Sequence, residues 1–146
     1  MKIAALAILL GIVSSAAERL PASIVREYLS AKTATMMAHA PANDIEKFLS
    51  FYTDDIVYED PAVRVRIQGK DSIRSGMLSH VDDYAGSASE TRISIESNLS
   101  LANAVAAVTT EVFWAQGSKG REQIQRKRLQ VFEFRGDRIC RVIDYH

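Results

Sequence analysis

The sequence predicts an α+β domain, with helices set on one face of a sheet built mainly from the C-terminal half. Two observations carry this. Apolar residues recur at three- and four-residue steps in two helical stretches before residue 53 and a third from residue 73 to 84. From Thr91 onward they recur at every second residue, in runs separated by Ala102-Asn103, Gly117 to Gly120 and Gly136-Asp137. The order reads helix, helix, strand, strand, helix, then four strands.

Pro21 suits the first turn of a helix, because it has no amide hydrogen to lose there. Ile24, Val25, Tyr28, Leu29, Lys32 and Met36 then follow helical spacing, with Lys32 as the one break in an apolar stripe. Pro41 ends this helix, and Asn43-Asp44-Ile45-Glu46 reads as a capping-box-like start to the next. Ile45, Phe48, Leu49 and Tyr52 form its apolar face, and Asp54-Asp55 closes it. Ile56 to Glu59 begins a strand stopped by Asp60-Pro61, and Val63, Val65 and Ile67 alternate in a second. Gly69 turns the chain into a third helix capped by Asp71 or Ser72, which carries Ile73, Met77, Val81 and Tyr84. Gly86 to Ser89 reads as a loop. The meander then runs through Thr91 to Leu101, Val105 to Gln116, Arg121 to Arg135 and Arg138 to Tyr145.

Composition narrows the function. The chain has 146 residues, which fits one domain, and 18 Lys and Arg balance 18 Asp and Glu. That neutrality argues against a nucleic-acid binder. The basic run Arg121, Arg126, Lys127 and Arg128 reads as a solvated strand face. The single cysteine, Cys140, excludes an intrachain disulfide framework and sits in an apolar-alternating stretch, as a buried small residue would. His39, His80 and His146 lack metal-ligand spacing, so no metal site is expected. No P-loop, dinucleotide fingerprint or nucleophile elbow occurs.

Residues 1–17 read as a signal peptide: Lys2, an apolar run from Ile3 to Val13, then the small-x-small site Ser15-Ala16-Ala17. The run is shorter than the ~20 apolar residues a membrane span needs. The expectation is a secreted or periplasmic domain of residues 18–146, with no stable membrane anchor after cleavage. Asn98-Leu99-Ser100 is a formal glycosylation sequon.

The segment FLSFYTDDIVYEDPAVRVRIQGKDSIRSGM resembles the SnoaL-like branch of the NTF2-like superfamily. So does the closing LQVFEFRGDRICRVIDYH, with its Phe-x-Phe strand, Gly-Asp turn and final Asp-Tyr. The resemblance implies an NTF2-like cone: three N-terminal helices packed on a curved, mostly antiparallel sheet, open at one end as a pocket. It implies a small apolar ligand, no cofactor, and a homodimer formed through the outer face of the long strands. The ketosteroid isomerases of this superfamily are similar around YTDDIVYEDP and imply Asp60 as general base. The same analogy places Gln130 where their protonated oxyanion Asp lies. Tyr28, in IVREYLSA, is the candidate oxyanion Tyr, although an ungapped count back from Asp60 places Met36 there. Polyketide cyclases are similar in fold, but this chain has Arg128, Gln130 and Phe132 at their acid–base strand position. Epoxide hydrolases of the fold resemble it less, since their Asp-Arg-Asp set finds no counterpart in the sequence alone.

The candidate site is therefore Asp60, Tyr28 and Gln130, with Met36, Tyr52, Tyr58, Trp114 and Phe132 as pocket wall. Asp60 also has a structural role open to it, since Asp before Pro commonly caps a turn. Glu59 points away from Asp60 by strand alternation. The functional expectation is acid–base isomerase or cyclase chemistry on an apolar cyclic carbonyl compound. The alternative is a non-catalytic binding or dimerisation module.

Overall fold

The computed structural model describes residues 19–37, 40–84, 89–117 and 120–146. The proposed signal peptide, His39 and most of the Gly86 to Ser89 loop lie outside the described residues. The described elements run α1 (Pro21–Thr35), α2 (Ala42–Leu49), β1 (Tyr52–Asp60), β2 (Val65–Gln68), α3 (Lys70–Tyr84), β3 (Ser89–Ser100), β4 (Ala104–Gly117), β5 (Gly120–Arg135) and β6 (Arg138–Tyr145).

The six strands form one open sheet in the order β2-β1-β6-β5-β4-β3. It is mixed: β1 runs parallel to β6, and the other four pairings are antiparallel. The third helix also follows the β1–β2 pair, so only two helices are strictly N-terminal. The parallel pair arises because the N-terminal hairpin docks on the last strand rather than on a sequence neighbour. Register shifts in β1, β3 and β5–β6 mark bulges, which bend and twist the sheet locally.

Two predicted boundaries move for identifiable reasons. Tyr52 leaves the helix and opens β1 opposite Ile139, and the Ile139 amide donates to the Phe51 carbonyl at 2.8 Å. Asp54 and Asp55 then lie within the strand, exposed, in ion pairs with Lys70 and Arg135. The start of α2 uses Pro41 as its N-cap with no side-chain cap bond, so the predicted capping box does not form. Asp44 instead sits in the first turn, where a carboxylate favours the helix dipole.

Alternation fixes which side chains face the helices. Ile24, Val25, Tyr28 and Leu29 bury one face of α1, and α1 packs against α2, β3 and β4. The Tyr28 ring meets Phe132 edge-on at 5.3 Å between centroids. Phe132 therefore lies on the helix-covered face, and its ladder partners Val105 and Val142 are buried with it. Ile45, Phe48 and Leu49 of α2 close one end of this core. Each such side chain, fully buried, contributes roughly 1.5–3 kcal/mol.

Candidate active site

Two residues back along β5 from Phe132 comes Gln130, and two further comes Arg128, all on the covered face. Their partners across β4 are Ala107 and Thr109, and Glu111 follows on the same face. On β6 the face carries Val142 and then Asp144; on β1 it carries Tyr58, opposite Val142. Moving along the sheet from the aromatic end, the lining thus changes from apolar to charged.

Asp144 is the centre of this polar cluster and is fully buried. Its Oδ2 accepts from Arg128 Nη1 at 2.9 Å, Tyr58 Oη at 3.2 Å and Gln130 Nε2 at 3.3 Å. Its Oδ1 is buried with no hydrogen-bond partner. Arg128 also donates from Nε to Glu111 Oε2 at 3.2 Å, so one guanidinium bridges two buried carboxylates. Gln130 is oriented from its other end, where its Oε1 accepts from Thr109 Oγ1 at 3.4 Å. Lys32, on α1, completes the electrostatics. Desolvation lowers its pKa, while the neighbouring Asp144 and Glu111 carboxylates push it back up. Arg128 and Lys32 thus both stand beside the Asp144 and Glu111 carboxylates.

Tyr28 and Tyr52 belong to the aromatic part of the same core. Tyr28 and Tyr52 share one hydrogen bond between their hydroxyls at 2.7 Å. Burial pushes the phenol pKa of each well up, so both stay neutral hydrogen-bonding groups. The Tyr58 phenol is raised by burial and by the adjacent Asp144 charge. A neutral Tyr58 can only donate to that carboxylate, as observed.

The sequence-predicted residues are thus divided among several places. Gln130 and Tyr58 contact Asp144 directly. Tyr28 and Tyr52 bond to each other, with Phe132 packed against Tyr28. Asp60 is nearly buried, and its Oδ1 accepts from the Ala62 and Val63 amides at 3.2 and 3.4 Å, capping the turn after β1. Its Oδ2 lies 3.4 Å from His146 Nδ1. Met36 is the partly buried C-cap of α1. The pocket-wall assignment fails for Trp114: with Gln123 opposite, it alternates away from Glu111 and Phe113 to the other face. There Arg121 lies over its ring at 5.0 Å.

Asp144, Arg128, Glu111 and Lys32 were not singled out as site residues from the sequence. Arg128 in particular is not part of a solvated face; its side chain is 14% exposed and turned inward. The signal was present in each case as a charged residue at an inward position. Lys32 breaks an apolar helical stripe, Glu111 interrupts the apolar run of β4, and Arg128 shares parity with Gln130 and Phe132. Glu59, by contrast, faces out as alternation requires and pairs with Arg66 and Arg141.

Comparison with known proteins gives the same architecture. Residues 33–142 match the family model described as SnoaL-like domain. No curated protein matches the chain. A Catenulispora acidiphila protein of ketosteroid isomerase-like fold, solved in complex with trimethylamine, superposes with a TM-score of 0.65 at 16% identity, covering 88% of this chain and 87% of that one. An NTF2-like protein of unknown function from Burkholderia pseudomallei gives 0.62 at 17% identity, covering 84% and 87%. An LEH-like epoxide hydrolase from M. tuberculosis gives 0.60 at 21% identity, covering 84% and 79%. At these identities the likeness is one of fold.

Proposed function

The chain belongs to the SnoaL-like domain family, and on that premise we propose that it is a cofactor-independent acid–base catalyst acting on a small, apolar cyclic carbonyl compound. The observation that carries this reading is Asp144: a fully buried carboxylate with Oδ2 held by three donors and Oδ1 left without a partner. A buried polar atom without a partner costs about 1–3 kcal/mol, and such a cost persists where function uses the atom. Oδ1 takes a proton from the carbon beside the carbonyl and returns it to another carbon of the enolate so formed, which regenerates the carboxylate. Lys32 opposes the negative charge that then develops on the substrate oxygen. Arg128, Tyr58 and Gln130 fix the carboxylate in place, and Glu111 fixes Arg128.

In this reading Asp60 is a turn cap, Gln130 is a positioning residue, and the Tyr28 hydroxyl is committed to Tyr52. Export after removal of residues 1–17 and homodimerisation through the outer sheet face belong to the same proposal.

A second reading is favoured by one feature. Glu111–Arg128–Asp144 is a carboxylate–guanidinium–carboxylate arrangement, akin to the Asp-Arg-Asp set paired by epoxide hydrolases of this fold. Here Oδ1 would activate a water against a strained cyclic ether.

The test is turnover of two substrate panels, cyclic enones followed by deuterium exchange and aryl or alicyclic epoxides followed by diol formation. Asp144→Asn should lower turnover by about 100-fold or more, the low end of what a positioned base supplies. Epoxide turnover alone would establish the second reading. Wild-type protein inert on both panels, or an active Asp144→Asn, would overturn the catalytic proposal and leave a binding module.

A further inference from the structure

A groove of about 610 Å³ lies between α1 and the edge strand β3, away from the Asp144 cluster. None of the residues of the Asp144 cluster lines it. Its helix wall is Arg26, Leu29, Ser30 and Thr33, which fall at i, i+3, i+4 and i+7 and so share one face of α1. Its strand wall carries Thr91, Ile93 and Ile95, which share one face of β3 by alternation. The volume falls within the range of small-molecule sites, about 300–1,000 Å³.

The chemistry of the walls is asymmetric. Leu29, Ile93 and Ile95 offer an apolar floor. The charged lining residues are Arg26 and Arg92, with no acid among them. Among the described residues neither arginine has an ion-pair partner, whereas Arg19, just before the start of α1, pairs with Glu27. Thr91 supplies an independent observation. It is 8% exposed, and its Oγ1 has no hydrogen-bond partner. An unpartnered hydroxyl beside an apolar floor and a net positive rim suits a ligand with an anionic head and an apolar body.

We propose that this groove is a second ligand site, selective for a small carboxylic acid with an apolar chain or ring. Arg26 takes the carboxylate, Thr91 Oγ donates the hydrogen bond it lacks, and the floor covers the apolar part. Arg92 adds charge at the rim, since its side chain alternates away from Thr91 and Ile93. The site stands whether or not Asp144 is catalytic.

The probe is decanoate, with decanol as its uncharged counterpart, titrated into the full chain by calorimetry and by methyl NMR of Ile93, Ile95 and Val142. Decanoate should bind saturably and at least about tenfold more tightly than decanol, the factor that 1.4 kcal/mol represents. Its shifts should fall on Ile93 and Ile95 and spare Val142. Arg26→Gln should weaken it by about tenfold, and Thr91→Val, which preserves shape, by several-fold. Equal affinity for decanol, shifts centred on Val142, no saturable binding, or an Arg26→Gln protein that binds as the wild type does would each overturn the proposal.

Discussion

The Tyr28–Tyr52 pair offers a sharp test of how this core is held. The two hydroxyls lie 2.7 Å apart, and each residue is 1% exposed. Tyr28→Phe keeps the ring, and with it the contacts to Phe48, Tyr52 and Phe132 at 5.0, 5.6 and 5.3 Å. What it removes is one hydroxyl, which leaves the Tyr52 hydroxyl buried and unpaired. That costs about 1–3 kcal/mol. Tyr52→Phe strands Tyr28 in the same way. The double variant strands neither, because both polar groups leave together, and it should lie within about 1 kcal/mol of the wild type. The unfolding entropy of a 146-residue chain converts 1 kcal/mol into about 3 °C. Each single variant should therefore melt about 3–10 °C lower, and the double variant should recover most of the loss. Thermal and urea unfolding followed by circular dichroism give the cycle, with a coupling of about 1 kcal/mol or more. Additivity within about 0.5 kcal/mol, the behaviour of independent sites, would refute the argument.

Two further outcomes concern the charged cluster. Arg128→Met should destabilise the fold by about 3–5 kcal/mol in urea, because it leaves Asp144 and Glu111 as buried like charges without their bridge; a loss under about 1 kcal/mol would show that water already solvates both carboxylates. Lys32→Met should stabilise the protein near neutral pH, since desolvation outweighs the carboxylate attraction at Lys32. The sign follows from a folded pKa below the unfolded one: the wild type gains stability as pH rises through the folded value toward the ordinary lysine range near 10.4, and the variant does not. Parallel stability–pH curves for the two proteins would contradict this.

The fold was legible because its signals are periodic and redundant. The strands from β3 to β6 were each placed within two residues of their observed ends, since alternation fails abruptly at Ala102-Asn103 and Gly136-Asp137. Gly136 adopts φ +64°, a conformation that side chains disfavour, so its residue type marks the turn directly. Tyr52 was misplaced because helical spacing from Phe48 and Leu49 continues through it. What overrides that local pattern is pairing with Ile139, 87 positions away, which no local window contains. The parallel β1–β6 pairing is non-local in the same sense.

The site was harder to read because its meaning is three-dimensional. Lys32, Glu111, Arg128 and Asp144 stand on four different elements, and each alone reads as an ordinary break in a pattern. Their inward positions follow from alternation once the register is known: Thr109 opposite Arg128 and Gln130 opposite Asp144 fix the three strands relative to one another. A fold that buried these charges for stability alone would do better with apolar residues of similar volume, which are often neutral or stabilising in place of a buried ion pair. Here the hydrogen bonding of the buried carboxylate is also incomplete, because Asp144 accepts three donors on one oxygen and none on the other. The lopsided arrangement suits the acid–base role proposed above, with one oxygen fixing the carboxylate and the other left for a proton.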